Sequence, residues 1–255
     1  MERKKKIAII TGAAGGIGKE FTRIFAKETL DEIWVIGRNQ KNLAWLKQEY
    51  GRKIIPVCAD LTNKQDLLQI KSLLTSKVIV AYLVNNAGMA CMAHSKDYSD
   101  DETSKTIMLN CKVPVMLINY CIPYMESGSK IINVTSAAAF QPVPYINLYA
   151  STKAFLHSYS RALHMELKPA GITVTAASPG WVDTAMLPDE INGRKVKFPG
   201  ITSPQKVARQ AVKDAKKGKD VSVCPLYVKC QHLNVKLLPH KLVMKIWMHS
   251  IKKYM

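Results

Sequence analysis

A glycine-rich turn near the start of the chain constrains its fold more than any other feature. The apolar run Lys6–Ile10 leads directly into Thr11–Gly18, which reads TGAAGGIG, and a helical pattern follows. Gly12, Gly16 and Gly18 allow a tight turn, a close approach to a pyrophosphate, and close packing of helix on strand. The N–H groups at the start of such a helix favour a phosphate. The turn therefore predicts a nucleotide-binding strand–turn–helix unit, unless it is an ordinary connection.

Strands and helices alternate along the rest of the chain. Further strands are predicted at Glu32–Ile36, Ile54–Ala59, Val78–Val84, Lys130–Val134, Ile172–Ala177 and Val221–Cys224. Helices are predicted up to Lys27, at Lys64–Leu74, Thr103–Met125 and Tyr149–Glu166, and from the cap pair Ser203–Pro204 to Lys217. This alternation is typical of an α/β fold of Rossmann type, a doubly wound parallel sheet of about seven strands with helices on both faces. A single domain over residues 1–255 is the simplest organisation.

Cysteine usage and hydropathy indicate the compartment. None of the six cysteines has CxxC spacing, and no histidine–cysteine cluster has the spacing of a metal site, so we expect neither disulfides nor a metal. The apolar run after MERKKK is too short for a signal peptide, and no window of about 18 apolar residues predicts a membrane-spanning helix. A cytoplasmic protein is therefore expected.

The residues after the second predicted strand indicate which nucleotide is bound. NAD-binding chains usually carry an acidic residue here for the ribose 2′-hydroxyl, and Ile36–Asn39 contains none. Arg38 instead offers its guanidinium to a 2′-phosphate, unless it is an ordinary surface arginine. The sequence therefore favours NADP(H) over NAD(H).

Four further motifs follow the glycine turn in order. They are Asn85–Gly88 (NNAG), Ser136, Tyr149–Lys153 (YASTK) and Pro179–Gly180, and each lies near the end of a predicted strand or the start of a helix. A Tyr-x-x-x-Lys pair alone carries little weight, because the composition of the chain produces about one by chance. With Ser136 placed 13 residues before Tyr149, the chain resembles the short-chain dehydrogenase/reductase family over residues 6–225.

The resemblance implies four catalytic residues that interconvert a ketone and a secondary alcohol. Tyr149 would be the general acid or base, and Ser136 would bind and orient the substrate oxygen. Lys153 would bind the nicotinamide ribose, and Asn110 would hold a water that passes protons to Lys153. The ordinary pKa of tyrosine is about 10, and a lysine one helical turn away is expected to lower it.

The resemblance also implies how NADP(H) is held. Asp60 would meet the adenine amino group, unless it caps the following helix, and Asn85 is expected to be structural. The other expected cofactor contacts are Gly12, Gly16, Ile17, Gly18, Arg38, Leu61, Asn86, Ala87, Gly88, Tyr149, Lys153, Pro179, Gly180 and Thr184. Family members commonly pair through the long helices around Asn110 and Tyr149, so a homodimer or homotetramer is expected.

Three segments would enclose the substrate of such an enzyme: Met89–His94, Ala137–Tyr145 and Trp181–Leu187. All three are rich in Met, aromatic and aliphatic side chains. They predict a largely apolar substrate such as a steroid, a fatty-acyl chain or another lipid-like ketone, unless they pack on one another. Residues 185–203 would form a lid over it.

The C-terminal quarter is strongly basic. Residues 191–255 carry 15 Lys and Arg against 2 Asp and Glu, which indicates an anionic partner or a solvated surface. Within the extension 226–255, Pro239–Tyr254 has helical periodicity. One side carries Leu242, Val243, Ile246, Trp247, Ser250, Ile251 and Tyr254, and another carries Lys241, Lys245 and Lys252. Residues 239–255 could contact an anionic membrane peripherally, form a dimer contact, or cover the substrate pocket. No motif indicates specific nucleic-acid binding.

The sequence disfavours two other classes of function. A hydrolase is disfavoured because the chain has no GxSxG motif, and His157 and His164 are expected to be helix-packing or interface residues. A noncatalytic NADP(H)-binding regulatory or membrane-associated scaffold protein would have a degenerate active site, whereas all four catalytic positions are intact here.

Overall fold

The strands and helices follow in the alternating order that the sequence predicts. The computed structural model describes residues 3–191 and 193–252. Its strands are β1 (Lys5–Thr11), β2 (Glu32–Gly37), β3 (Ile54–Cys58), β4 (Val78–Asn85), β5 (Lys130–Val134), β6 (Thr173–Pro179), β7 (Glu190–Ile191), β8 (Arg194–Lys195) and β9 (Val221–Cys224). Its α-helices are α1 (Gly16–Phe25), α2 (Gln40–Tyr50), α3 (Lys64–Leu73), α4 (Asp100–Ile107), α5 (Val113–Cys121), α6 (Asn147–Leu167), α7 (Pro204–Lys216), α8 (Leu226–Leu237) and α9 (His240–Ile251).

Seven strands form one parallel sheet in the order β3-β2-β1-β4-β5-β6-β9. This confirms the predicted doubly wound α/β fold of Rossmann type. The chain runs outward from β1 to β3 and then crosses back to begin β4 on the other side of β1. Sheets of this kind bind ligands in the crevice at the carboxyl ends of the two strands where the order reverses. The crevice here lies at the ends of β1 and β4.

Helices cover both faces of the sheet. Alternate residues of β1 point to opposite sides, so that Ile7 and Ile9 belong to one apolar core and Ala8 and Ile10 to the other. The first core takes further side chains from α3, α5 and α6, and the second from α1, α2 and α7. Burial on both faces explains why the strands are continuous apolar runs.

Two helices, α2 and α8, are not predicted by the sequence patterns. In α2, the Asn39 side chain caps the first turn and Gly51 ends the last with a φ of 85°. Only Leu43 and Leu46 of α2 are buried, so the apolar face of this helix is narrow. In α8, Val228 is the sole fully buried residue among those described, and no side chain caps the first turn.

The helix predicted at 103–125 begins earlier and is not uniform. A capping box formed by Ser99 and Glu102 starts α4, and a π-helical turn at Met108–Lys112 separates α4 from α5. By length and composition alone, Asp100–Tyr124 is the one helix in the described ranges that could cross a membrane. Within its apolar window 39% of the residues are buried in the fold, Leu117 among them.

The C-terminal helix α9 packs on the loops at the carboxyl edge of the sheet. Trp247 donates a hydrogen bond from its indole Nε1 to the Pro144 carbonyl oxygen at 2.9 Å, and Ile251 is 6% exposed. Leu242 and Ile246 stay 45% and 57% exposed. The predicted apolar face is therefore divided, since Trp247 and Ile251 turn inward while Leu242 and Ile246 turn outward. Tyr254, also assigned to that face, lies outside the described residues.

Candidate active site

The glycine turn is braced from the neighbouring strand β4. The Thr11 hydroxyl accepts hydrogen bonds from the backbone N–H groups of Asn86 and Ala87, each at 3.0 Å. The Asn86 side-chain amide donates in return to the carbonyl oxygens of Thr11 and Gly12, each at 3.1 Å. Asn86 and Ala87 therefore lie at the predicted crevice. Their contacts with Thr11 fix the shape of the turn.

Three glycines allow this close packing. A Cβ on Gly18 would lie 2.1 Å from the Gly12 carbonyl oxygen, and one on Gly16 would lie 2.2 Å from the Thr184 side chain. Gly12 has a φ of 61°, in the left-handed region where other residues are strained. Any side chain at these positions would fill the space into which the turn brings its backbone.

The turn and α1 fit a pyrophosphate. Gly15 and Gly16, at the start of α1, are exposed, and no acidic residue lies in the first turn of the helix. The Gly15 N–H donates to the Gly12 carbonyl oxygen at 3.1 Å, so it is the Gly16 N–H and the helix dipole that suit a negative charge. Ile17 is half-buried and packs against the core. The contact between Thr184 and Gly16 places the segment after β6 beside this anion site.

The far end of the crevice carries Arg38 and Asp60. Arg38 is exposed directly after β2, a segment in which the sequence has no acidic residue after Glu32. One carboxylate oxygen of Asp60 accepts hydrogen bonds from the Thr62 backbone N–H at 2.9 Å and the Thr62 hydroxyl at 2.7 Å. These bonds, and more weakly the charge of Arg38, lower the pKa of Asp60. Asn63, and not Asp60, caps α3.

Three of the other predicted cofactor contacts, Leu61, Pro179 and Gly180, are used in packing or hydrogen bonding within the protein. The Leu61 side chain is 4% exposed and belongs to the apolar core, so it presents no side chain to the crevice. Pro179 is buried at the end of β6, and the Gly180 N–H donates to the Cys224 carbonyl oxygen at 3.2 Å. A Cβ on Gly180 would lie 2.5 Å from Val228, so this glycine allows α8 to approach.

Ser136 and Tyr149 meet at the carboxyl edge of the sheet. Ser136 follows β5, and its hydroxyl accepts the Ala138 N–H at 3.2 Å, which begins a short 3-10 helix at Ala137–Phe140. Tyr149 lies in the first turn of α6 and is half-buried. The Ser136 hydroxyl lies close enough to the Tyr149 phenol to oppose the rise in the phenol pKa that burial causes.

Lys153 extends under Tyr149 toward the NNAG segment. Its Nζ donates to the Val134 carbonyl oxygen at 2.9 Å and lies 5.7 Å from the centre of the Tyr149 ring. A Cβ on Gly88 would lie 3.2 Å from both Lys153 Nζ and Asn110 Oδ1. The structure thus brings together Ser136, Tyr149, Lys153, Asn110 and Gly88, which are far apart in sequence.

The expected effect of Lys153 on Tyr149 is not found. Burial, the larger influence, raises the pKa of Tyr149, and the nearby Ser136 hydroxyl opposes this rise. Burial also lowers the pKa of Lys153 from 10.5 to about 8. The lysine is directed at the Val134 carbonyl oxygen and not at the phenol oxygen. At neutral pH the phenol therefore keeps its proton and can act as an acid.

Asn110 positions the NNAG segment through its side chain. It lies in the π-helical turn and is fully buried. Its Oδ1 accepts the Met89 N–H at 3.0 Å, and its Nδ2 donates to the Met89 carbonyl oxygen at 2.9 Å and to the Thr152 hydroxyl at 3.0 Å. Both amide hydrogens are thus used within the protein. The bond to Thr152 connects Asn110 to the residue beside Lys153.

Three polar residues near the site are structural. The Asn85 side chain donates to Asn133 Oδ1 at 2.8 Å inside the core, which agrees with its expected role. His164 Nδ1 hydrogen-bonds with the Val174 carbonyl oxygen at 2.9 Å, and His157 Nδ1 lies 3.3 Å from the Ser178 hydroxyl. Both histidines pack α6 on the sheet.

The three predicted substrate segments meet one another. The Ala93 N–H donates to the Tyr145 carbonyl oxygen at 2.9 Å, which joins the first segment to the second. The Trp247 ring, bonded to the second segment through Pro144, lies 6.4 Å from the Trp181 ring in the third. Trp181 also packs on Phe198, with ring centres 4.9 Å apart. Helix α9 therefore connects the second segment to the third. The sequence leaves three roles open for this helix: a membrane contact, a dimer contact or a cover over the substrate pocket.

A groove of about 610 Å³ runs between the Ala137–Tyr145 segment, α6 and α9. Its lining includes Phe140, Ser151 and Met244, and neither Ser136 nor Tyr149. The groove therefore lies beside the reacting residues and not at them. No group of three or more His, Cys, Asp or Glu side chains within the described ranges could hold a metal ion.

Comparison with known proteins identifies the family. The family model described as short chain dehydrogenase matches residues 6–195. The chain belongs to the short-chain dehydrogenase family. An uncharacterized oxidoreductase of Staphylococcus epidermidis is 31% identical over 186 residues, which cover 72% of this chain and 80% of the relative. One of Staphylococcus aureus is 30% identical over 187 residues, covering 71% and 80%. This short-chain dehydrogenase is thus an oxidoreductase.

Solved structures of the short-chain dehydrogenase fold superpose over most of the chain. A short-chain dehydrogenase from Sphingobium yanoikuyae in complex with NADPH has a TM-score of 0.79 and 26% identity, covering 91% of this chain and 92% of its own. The bulky-bulky ketone specific alcohol dehydrogenase from Comamonas testosteroni has a TM-score of 0.76 and 25% identity, with coverages of 91% and 90%.

Sequence reasoning missed two residues of this short-chain dehydrogenase site. Thr11 braces the glycine turn and is 1% exposed in the fold. The sequence signal that could have found it is a polar residue at the end of an otherwise apolar strand. Trp247 was noted only as part of an amphipathic face. Its contacts with Pro144 and Trp181 depend on the path of the chain after β9, which no local pattern specifies.

Proposed function

We propose that this oxidoreductase uses NADP(H) to interconvert an apolar ketone and its secondary alcohol, with Tyr149 as general acid and base. The observation that carries the proposal is the grouping of Ser136, Tyr149 and Lys153 beside a glycine turn shaped for a pyrophosphate. These are the groups that hydride transfer to a carbonyl requires: a proton donor, an orienting hydroxyl and a nucleotide site.

The crevice has the donors that NADP(H) needs. The start of α1 would hold the pyrophosphate, and Arg38 would pair with the 2′-phosphate. Lys153 carries three N–H donors, of which one goes to Val134, and it would bind the nicotinamide ribose next to Gly88. The similar structure from Sphingobium yanoikuyae contains NADPH. When bound, the cofactor supplies or accepts the hydride at the substrate carbon.

The protein residues manage the proton. As the carbonyl carbon is reduced, negative charge develops on its oxygen, and Ser136 would stabilise it by donating a hydrogen bond. The Tyr149 phenol, protonated at neutral pH, would transfer its proton to that oxygen and become a phenolate. Lys153 would stabilise the phenolate and help to return the proton from solvent, while Asn110 holds the NNAG segment in place. In alcohol oxidation the same groups act in reverse.

Apolar side chains around the site favour an apolar substrate. Residues 185–203 would act as the lid, held by Trp181 against Phe198, and Trp247 would close it from the C-terminal side. The bulky-ketone alcohol dehydrogenase of similar structure supports this choice. Steroid, fatty-acyl and other lipid-like ketones are the classes that we propose.

Self-association is the remaining part of the proposal. Phe155 and Met165 on the outer side of α6 are 47% and 66% exposed. Such exposed apolar side chains suit a contact between two copies. A homodimer or homotetramer that pairs through this face is therefore proposed.

A substrate panel tests the proposed function. We expect NADPH consumption with bulky apolar ketones at a kcat/KM at least about tenfold above that with small sugars, since an apolar pocket gains little from a hydrated substrate. Steady-state absorbance of NADPH measures it. A preference for small hydrophilic ketones would contradict the proposed substrate class, and no turnover with any carbonyl would contradict the proposed reaction.

Trp247→Ala should raise KM for apolar ketones about tenfold, whereas Trp45→Ala, on the exposed side of α2, should not.

Replacing Arg38 by leucine tests the cofactor. The variant should raise KM for NADPH by about 10- to 100-fold and leave KM for NADH nearly unchanged, because a charge-assisted bond to phosphate is worth about 1.5–3 kcal/mol. Initial rates with both cofactors measure the effect. Arg52→Leu, which changes another exposed arginine, is the matched control. Equal effects of Arg38→Leu on both cofactors would show that Arg38 does not read the 2′-phosphate.

A further inference from the structure

Helix α8 is apolar on the side that faces away from the protein. Leu226, Leu233 and Leu237 are 72%, 57% and 73% exposed, and their spacing of seven and four residues places them on one helix face. Val228, 1% exposed, lies on the opposite face, against the sheet. Helices on the surface of a globular protein normally carry polar residues outward. The outward leucines of α8 are therefore not explained by folding.

The apolar surface continues into α9. Leu238 in the connection is 40% exposed, and Leu242 and Ile246 on α9 are 45% and 57% exposed. We call the set of Leu226, Leu233, Leu237, Leu238, Leu242 and Ile246 the apolar ridge. Its members follow one another through two helices and the turn between them. A surface of this kind usually marks an interaction site.

The charged side chains of α8 and α9 are all lysines. Lys229 and Lys236 lie beside the leucine face of α8, and both are exposed, as are Lys241 and Lys245 on α9. The sequence contains no Asp or Glu after Asp220. Any partner of the ridge must therefore combine an apolar interior with a negative surface.

We infer that the apolar ridge docks on the surface of an anionic lipid bilayer. Leucine and isoleucine side chains would enter the boundary of the acyl chains, while the lysines meet anionic headgroups. A second copy of the chain fits less well, because a two-fold contact would set the same lysines against each other. Trp247 and Ile251 attach α9 to the fold, so the ridge is presented on a fixed support.

The position of the ridge connects docking with the proposed reaction. The Tyr227 ring, next to Leu226, lies where a Cβ on Gly200 would be 2.3 Å away, so α8 packs directly on the proposed lid. The helix that carries three members of the ridge therefore contacts the proposed lid. Entry of a lipid-like ketone from the bilayer rests on the proposed function, whereas docking itself does not.

Vesicle flotation with the full chain tests docking without any substrate. We expect at least about tenfold more protein to float with phosphatidylcholine vesicles that contain about 30% phosphatidylglycerol than with pure phosphatidylcholine vesicles. The double variant Leu233→Ser/Leu237→Ser and the triple variant Lys229→Gln/Lys236→Gln/Lys245→Gln should each lose most of this binding. Added salt should weaken binding of the wild-type protein.

Matched variants separate docking from folding. Leu68→Ser/Leu73→Ser, which changes two exposed leucines of α3, and Lys47→Gln/Lys64→Gln/Lys96→Gln should float like the wild-type protein. Thermal unfolding should show that the ridge variants remain folded. Equal flotation with neutral and anionic vesicles would overturn the proposal. So would flotation of folded ridge variants at the wild-type level, or a change only in their oligomeric state by light scattering.

Discussion

Replacing Tyr149 by phenylalanine is expected to lower kcat by about three orders of magnitude while NADPH still binds. The variant removes the phenol hydroxyl that lies beside Ser136, on a ring whose centre is 5.7 Å from Lys153 Nζ. General acid catalysis contributes about 10²–10⁴-fold. The aromatic ring remains to fill its place in α6, so the nucleotide crevice should keep its shape. Single-turnover reduction measures the chemical step, and quenching of NADPH fluorescence measures binding.

A second tyrosine of α6 provides the control. Tyr159 is half-buried and stacks on Phe155, with ring centres 6.2 Å apart. Tyr159→Phe should leave kcat within about twofold of the wild type, because Tyr159 lies about three helical turns beyond Tyr149 on α6. If Tyr149→Phe keeps more than about a tenth of wild-type turnover, Tyr149 is not the proton donor. Loss of NADPH binding together with turnover would instead indicate a damaged site.

The fold could be predicted because its signals are local. Each strand of the seven-stranded sheet is a largely apolar run set off by glycine, proline or a polar turn, and the N-cap Ser203 with Pro204 marks the start of α7 as expected. The short polar strands β7 and β8 lack this pattern, and the sequence does not predict them. Helix α8 has the opposite pattern, since its leucines point to solvent and its buried side is almost limited to Val228. A method that assigns apolar periodicity to the core cannot place such a helix.

The site could be predicted where family motifs cover it. Ser136, Tyr149 and Lys153 lie together at one edge of the sheet beside the glycine turn, and their catalytic roles stay predictions. The sequence predicts that Lys153 lowers the pKa of Tyr149, and this prediction is wrong because burial raises it. Spacing along a helix shows that two side chains share a face, but it does not show where their polar atoms point. Lys153 on α6 donates to the carbonyl oxygen of Val134 on β5, and the packing of α6 on the sheet determines this contact.

Replacing Lys153 by methionine is expected to stabilise the protein at pH 7 and to abolish most of its turnover. Lys153 is 4% exposed, and burial lowers its pKa from 10.5 to about 8, so its charge is held in the fold at a cost of about 3 kcal/mol. Methionine has a similar length and no charge. The Val134 carbonyl oxygen loses its partner, which costs about 1 kcal/mol. The free energy of unfolding at pH 7 should therefore rise by about 2 kcal/mol.

The pH dependence of this difference identifies its cause. Between pH 8 and 10.5 the unfolded wild-type chain binds a proton at Lys153 that the folded protein has released, so the stability of the wild type rises with pH in this window. The variant lacks this group, and its advantage should vanish by about pH 10. Urea unfolding at pH 7 and pH 10 measures the difference, with the exposed Lys47→Met as control. A constant advantage would mean that Lys153 is not a buried cation at pH 7. A vanishing advantage together with lost turnover would show that the enzyme keeps a destabilising charge because its chemistry requires it.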